Sequence, residues 1–249
     1  TFEDGQVNFP PELEAVFKKI RNLDLHGMCV PRELGGLNCP LLLYLINTEI
    51  FSRADVSIAA HHGFHGGMAM AMLAFSVHEG SATFDADAMR IDSCRFTDEM
   101  SEIIAGKAWG SMDITEAHAG SDMAALRTKG EQDEHGDWFV TGQKIFITSG
   151  HGKYHFVIAR TEEQTDLDDP LAGLKGLSFF LAPATGLDAD GKEVQLATFG
   201  GIEKKLGHHA SATVVVNFDR TPAKLIGKRG EGFKHMLLLM NNARVGVGF

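Results

Sequence analysis

The sequence predicts an α+β chain: a helical domain, then a β domain, then a last helix. Three observations carry this. Apolar residues recur with a helical period up to Gly106; from Lys107 the pattern changes to short β-branched and aromatic runs split by Gly, Asp and Pro; after Pro222 the helical period returns. The expected limits are an all-α domain over 1–106, a β domain over 107–222 and the start of a further helical region over 223–249. A chain of 249 residues can bury a core large enough for two such domains.

Taken in order, Leu13, Val16, Phe17 and Ile20 follow the i, i+3, i+4, i+7 spacing of one buried helical stripe. The loop Val30-Pro31-Arg32-Glu33-Leu34-Gly35-Gly36 then stops helix and permits a tight turn. Pro40 opens a second helical run through Leu41, Leu42, Leu45, Ile46 and Glu49, because a first-turn proline lacks only an N–H that would be unpaired there anyway. A third run from Ser57 to Phe75 is small and apolar all round, which predicts a buried helix. The fourth, Asp98 to Ala105, ends at Gly106, which suits a C-terminal cap.

Seven strands are expected next: Ala108 to Asp113, Ala125 to Glu131, Asp137 to Thr141, Lys144 to Thr148, Tyr154 to Ala159, Leu177 to Leu181 and Thr213 to Phe218. They would form a barrel or a sandwich. Gly136 supplies the turn of one hairpin. In the last helix Phe233, Met236, Leu237, Met240 and Arg244 share one side, and a surface so rich in Met and Leu needs covering. The expectation is that the covering residues lie outside this chain.

Composition narrows the function classes. Asp plus Glu number 33 against 23 Lys plus Arg, and the formal charge of −10 opposes general attraction to nucleic acid or an anionic membrane. Cys29, Cys39 and Cys94 are odd in number and widely spaced, so neither a disulfide framework nor a zinc site is expected, and a reducing compartment, cytoplasm or mitochondrial matrix, fits best. No apolar run approaches the roughly 18 residues of a membrane span. The start at Thr1 is expected to be processed or trimmed, so compartment is not read from it. His61 and His65 stand at i, i+4, yet no acidic third ligand shares their helical spacing, and no metal is expected.

Two segments carry the chemistry: Ile114-Thr115-Glu116-Ala117-His118-Ala119-Gly120-Ser121-Asp122 and Lys144-Ile145-Phe146-Ile147-Thr148-Ser149-Gly150. The first gathers hydroxyls and small residues in a turn where main-chain N–H groups can approach an anionic or carbonyl-rich ligand. The second reads as a strand whose alternation puts Ile145 and Ile147 on one face and Phe146 and Thr148 on the other. An aromatic ring beside a hydroxyl suits a planar heterocycle.

In this order, after a helical half, these segments resemble the acyl-CoA dehydrogenase family of flavoproteins. Thr115 to Asp122 is similar to its Thr-Glu-Pro-x-Ala-Gly-Ser-Asp signature, with Ala117 in place of proline, and Lys144 to Gly150 to its Lys-x-Trp/Phe-Ile-Thr-Asn/Ser-Gly strand. Val30-Pro31 to Gly35-Gly36, Lys205-Leu206-Gly207, Ser211 to Thr213, Leu225-Ile226-Gly227 and Gly230 to Phe233 match further landmarks, so the resemblance runs nearly end to end.

The resemblance implies an α-helical domain, a β-barrel middle domain and the first helix of a C-terminal bundle. It implies FAD held by Ile114, Thr115, Gly120, Ser121, Phe146, Ile147 and Thr148. Thr115 and the Ile114 main chain would meet the pyrimidine edge, Ser121 and the amides around Gly120 the pyrophosphate, Phe146 the ring face, and Thr148 the hydride-accepting N5. Glu116 and Asp122 are expected to serve structural hydrogen bonding. The implied reaction is α,β-dehydrogenation of an acyl-CoA thioester to a trans-2-enoyl-CoA, with electron-transfer flavoprotein as acceptor in a homo-oligomer, tetramer or dimer.

The family base is a glutamate of the C-terminal domain or, in a few subfamilies, the residue before an arginine on its first helix. Here Ala243 precedes Arg244. No catalytic base is therefore assigned, Arg244 is left as a site-shaping residue, and the base is expected outside these residues. The acyl pocket is expected between the Ser57–Phe75 run and the helix of Arg244, near His61, His62 and His65, with Gly63, Gly66 and Gly67 leaving room. Lys204, Lys205, Lys224, Lys228 and Arg229 form either a site for CoA phosphates or a solvated face. An acyl-CoA oxidase on the same fold and a non-catalytic flavin-binding or DNA-associated relative are the alternatives.

Overall fold

A computed structural model describes residues 1–163 and 171–248. Four helices build the first part: α1 (Pro11–Arg21), α2 (Leu41–Ala54), α3 (Val56–His78) and α4 (Thr97–Ile104). Leu13 and Ile20 bury the predicted stripe of α1. Helix α3 is the buried centre, with residues from Ser57 to Ser76 inside on all sides. Its start is fixed by Asp55, whose carboxylate accepts hydrogen bonds from the Ser57 and Ile58 amides at 2.8 and 3.1 Å, satisfying two of the donors every helix N-terminus leaves open. The region is not wholly helical. Two short hairpins, β1 (Phe2–Glu3) with β2 (Gln6–Val7) and β3 (Thr83–Asp85) with β4 (Arg90–Ser93), are additions that their brevity hid from periodicity.

The β part contains β5 (Gly110–Asp113), β6 (Lys129–Gln132), β7 (Trp138–Thr148), β8 (Tyr154–Arg160), β9 (Leu177–Pro183), β10 (Thr185–Leu187), β11 (Glu193–Gln195), β12 (Ala197–Ile202) and β13 (Thr213–Ile226). Pairing of β13 with β7, β7 with β6, β6 with β8, β8 with β9 and β9 with β13 closes a five-strand ring. The choice between sandwich and barrel is thereby decided for the barrel, which leaves no free edge within the ring. The turn between β6 and β7 uses Gly136 at φ 90°, where glycine carries no steric penalty.

Three strand expectations need correction. Residues 137–141 and 144–148 belong to one strand, because Gly142 continues the extended chain at φ 152° instead of turning it. The run expected from Ala125 begins only at Lys129, after a 3-10 turn at Met123–Ala125. Strand β13 passes through Pro222 to Ile226, with its register shifting between Phe218 and Thr221, so that after the single-turn α5 (Ala172–Lys175) ahead of β9 helix resumes only at α6 (Gly232–Val247).

Two apolar clusters join these parts. One fills the barrel with Val140, Ile147, Val157, Phe180, Val214 and Phe218. The other lies outside it, where Phe156, Ile158 and Phe179 meet Met72 and Phe75 of α3, Met100 and Ile103 of α4, and Met236 and Leu239 of α6. Strands β8 and β9 are thus buried on both faces, which explains their unbroken apolar sequence. No helix among the described residues is long and apolar enough to cross a membrane.

Candidate functional site

The two motif segments meet. The Ile145 amide donates to the Thr115 carbonyl at 2.9 Å, and the Lys144 ammonium reaches across to the Ile114 carbonyl at 3.0 Å and to Glu116 Oε1 at 2.8 Å. Lys144 is completely buried, an unusual place for a lysine. Burial pushes its ammonium below the usual lysine range, and the Glu116 carboxylate offsets part of that. Burial also opposes ionisation of Glu116, but Lys144 and the Arg127 and Thr128 amides, at 2.8 and 3.0 Å, together hold it down at about 2. The structural role expected of Glu116 is realised in these bonds.

Why Lys144 points inward follows from the pairing of β7 with β13. Lys144 stands opposite Val216 and Ile147 opposite Val214, so Ile145 and Phe146 together face the single Val215. This is a β-bulge, and Phe146 adopts φ 60° within it. Simple alternation therefore fails: Ile145 does not share a face with Ile147. Lys144 and Ile147 are buried, Ile145 and Thr148 half-buried, and Phe146 is 59% exposed. A left-handed backbone at a bulky residue costs on the order of 1–3 kcal/mol and concentrates at functional positions. An apolar ring held in that state on the surface is well placed to cover a ligand.

Around it lie unused polar groups. Among the described residues the Thr115 amide, the Gly120 and Ser121 amides and the hydroxyls of Thr115, Ser121 and Thr148 bond to no protein group. Gly120 and Ser121 follow a tight turn in which Glu116 and Ala119 exchange both backbone hydrogen bonds, at 3.0 and 3.1 Å. Ala117, the departure from the signature, is exposed in that turn. After Thr148 the chain is held rigidly: Ser149 lies at φ 57°, and a Cβ on Gly150 would stand 2.8 Å from Ile147 and Val214 side chains. The residues fit a flavin in donor chemistry, with an exposed ring, hydroxyls and free amides gathered along one bulged strand and its neighbouring turn.

A latch ties this strand end to the helices. His61 Nδ1 is 3.0 Å from Ser149 Oγ and its Nε2 3.2 Å from the Ala210 carbonyl. Burial holds His61 neutral, its pKa down at about 4. The shorter carbonyl contact favours a proton on Nε2, with Nδ1 accepting from the Ser149 hydroxyl, whereas the Ala212 amide, 3.4 Å from the same Nε2, is served by the other tautomer. Sequence reasoning missed this latch: it set a metal at His61 and His65 aside and expected them near the acyl pocket, with no signal that Ser149 would be a partner. His65 Nδ1 instead donates to the His61 carbonyl at 3.0 Å.

A cavity of about 390 Å³ opens between α2, α3 and α6, lined by Leu45, Phe64, Met68 and Leu239 among others. Gly63 and Gly67 border it, and a Cβ on Gly67 would meet nothing within 4 Å. Gly66 does not: it packs on Tyr44 and the His26 carbonyl. His61, His62 and His65 also lie elsewhere, around a separate cavity of about 130 Å³ with His26 and Trp109. Arg244 is exposed and bonds within its own helix, to Asn241 Oδ1 at 2.9 Å, while Ala243 lines the cavity. Three of the five residues of the basic cluster are engaged: Lys205 donates to the Ser211 carbonyl at 2.6 Å, Lys224 pairs with Glu99, and Arg229 pairs with Glu162 at 2.7 Å, while Lys204 and Lys228 are exposed.

The family descriptions "Acyl-CoA dehydrogenase, N-terminal domain" and "Acyl-CoA dehydrogenase, middle domain" match residues 2–83 and 111–221 respectively. The chain belongs to the acyl-CoA dehydrogenase family. A curated relative, 3-methylmercaptopropionyl-CoA dehydrogenase of Ruegeria pomeroyi, is 28% identical over 253 residues, covering 99% of this chain and 40% of its own length. Butyryl-CoA dehydrogenase of Megasphaera elsdenii superposes with a TM-score of 0.75 over 98% of this chain and 56% of its own, at 21% identity. A glutaryl-CoA dehydrogenase of Mycobacterium smegmatis, solved in complex with FADH2, gives 0.66 over 99% and 54%, at 22% identity. At these identities the two structures speak for the fold. The chain spans about half the length of the curated relatives it matches.

Proposed function

We propose that this acyl-CoA dehydrogenase family chain supplies the FAD seat and one wall of the acyl pocket of an enzyme that desaturates an acyl-CoA thioester between its α and β carbons. The observation that carries the reading is the bulged β7, which leaves Phe146 exposed at φ 60° beside the unpaired Thr148 and Thr115 hydroxyls. FAD, when bound, supplies the acceptor for the hydride that leaves the β carbon.

The chain's own residues would divide the binding task. Ser121 and the free amides at Gly120 and Ser121 present donors suited to a pyrophosphate. The Thr115 amide and hydroxyl present donors suited to ring carbonyls, and the Thr148 hydroxyl one suited to a ring nitrogen. Phe146 would cover the ring plane and exclude water, a contact worth about 0.5–1.5 kcal/mol beyond the area it buries. The apolar cavity, bordered by Gly63 and Gly67, suits an acyl chain, and α3 connects it to the Thr148–Ser149 end of β7 through the His61 latch.

No Asp or Glu lines that cavity among the described residues. The proton acceptor is therefore proposed to lie outside these residues. Electron-transfer flavoprotein as acceptor and a homo-oligomeric assembly belong to the same proposal, as does the choice of a dehydrogenase over an oxidase. The test is acyl-CoA-dependent reduction of an artificial dye by the 249-residue chain loaded with FAD. The expected result is bound flavin without turnover; measurable dehydrogenation would overturn the division of the site.

A further inference from the structure

Lys144 does more than neutralise Glu116. Its ammonium has two acceptors, Glu116 Oε1 at 2.8 Å and the Ile114 carbonyl at 3.0 Å, and none of it is exposed. The second contact falls on the peptide that joins Ile114 to Thr115. A cation bonded to a peptide oxygen draws electron density toward that oxygen and makes the N–H on the other side of the same peptide a stronger donor, since bonds in a chain polarise one another. That N–H belongs to Thr115, and it bonds to no protein acceptor among the described residues. Lys144 holds the Ile114 carbonyl of that peptide, and the Ile145 amide holds the Thr115 carbonyl of the next one at 2.9 Å, so the two peptides flanking Thr115 are both pinned.

The arrangement is directional. The carboxylate of Glu116 is held by the Arg127 and Thr128 amides, at 2.8 and 3.0 Å, and the ammonium bonds both to that carboxylate and to the Ile114 carbonyl. The positive end of the buried pair therefore abuts the peptide. In a site of low dielectric such an oriented pair acts over a short distance with little screening.

We propose that Lys144 is a positioning residue which, through the Ile114–Thr115 peptide, strengthens the Thr115 N–H as a donor to the flavin and so favours its electron-rich, reduced form over the oxidised one. This rests on the flavin seat proposed above. A purely structural lysine would affect both redox forms alike; a polarising one affects their ratio.

The experiment measures the two-electron midpoint potential of the FAD-loaded protein and its K144M and K144Q variants, alongside thermal stability. K144M is expected to bind reduced relative to oxidised FAD about tenfold more weakly than wild type, a fall in midpoint potential of ~30 mV. K144Q, which keeps a donor but no charge, is expected to show a smaller fall in the same direction. An unchanged potential in folded K144M, or in K144Q where K144M does not fold, overturns the inference even if both variants lose stability. Wild-type protein that takes up no FAD overturns the flavin reading itself, and this inference with it.

Discussion

Replacing Glu116 with alanine removes one half of a buried ion pair and tests whether that pair holds the site together. The Glu116 side chain is 4% exposed and that of Lys144 fully buried, so little water can take over the lost bonds. Three donors lose an acceptor at once: the Lys144 ammonium, which keeps only the Ile114 carbonyl, and the Arg127 and Thr128 amides; the exposed His118, 3.3 Å from Glu116, loses its partner as well. Removing one partner of a buried pair costs about 3–5 kcal/mol, and each buried amide left unpaired adds about 1–3 kcal/mol. Because Thr128 is buried and Arg127 exposed, only the first of these amides bears the full penalty. Glu116→Ala is thus expected to destabilise by about 4 kcal/mol or more. The double variant Glu116→Ala/Lys144→Met removes both charges. It is expected to cost at least ~2 kcal/mol less than the two single changes added together. Urea unfolding followed by intrinsic fluorescence, with unchanged m-values, gives all four corners of the cycle. Additivity within ~0.5 kcal/mol would refute the reasoning, for it would mean that the two groups are independently solvated.

The histidines around α3 predict acid lability. Burial holds His26, His61 and His62 at about 4 and His151 at about 3, against 6.5 when unperturbed. Between those values the unfolded chain binds more protons than the folded one, so stability is full above about 6.5 and declines as the pH falls through about 4, each group contributing on the order of 3 kcal/mol at the limit. A denaturation midpoint that stays flat from neutral pH down to about 4.5 would contradict this. Filling the apolar cavity with Gly67→Leu, where a Cβ meets open space, is expected to leave stability within about 1 kcal/mol while weakening long-chain relative to short-chain acyl-CoA at least tenfold. Equal loss for both chain lengths, read by competition binding, would place the acyl chain elsewhere.

Much of this was legible in the sequence because period and punctuation are local properties. The stripe of α1, the all-round apolar α3 and the unbroken apolar strands β8 and β9 each declare their burial in their own residues. The bulge at Ile145 and Phe146 does not, because a bulge is a mismatch in count between two strands some seventy residues apart. The burial of Lys144 was hidden for the same reason: its partners, Glu116 and the Ile114 carbonyl, are brought to it only by the fold. Pro222 within β13 shows the converse, a local rule against strand overridden where the register shifts near it. The placement of Gly66 against Tyr44, and of Gly67 on open space, depends on how α2 packs on α3 and has no sequence signature.

The central claim is that β7 and the turn after Ile114 form an FAD seat. Its most direct measurement is FAD uptake by the purified protein, followed by quenching of flavin fluorescence, for wild type and for the Phe146→Ala/Thr148→Val double variant. The account predicts saturable binding of one FAD per chain by wild type, and binding at least tenfold weaker in the variant at unchanged thermal stability, since neither side chain is part of the core. Folded wild-type protein that takes up no FAD, or a variant that binds FAD as tightly as wild type, would contradict it.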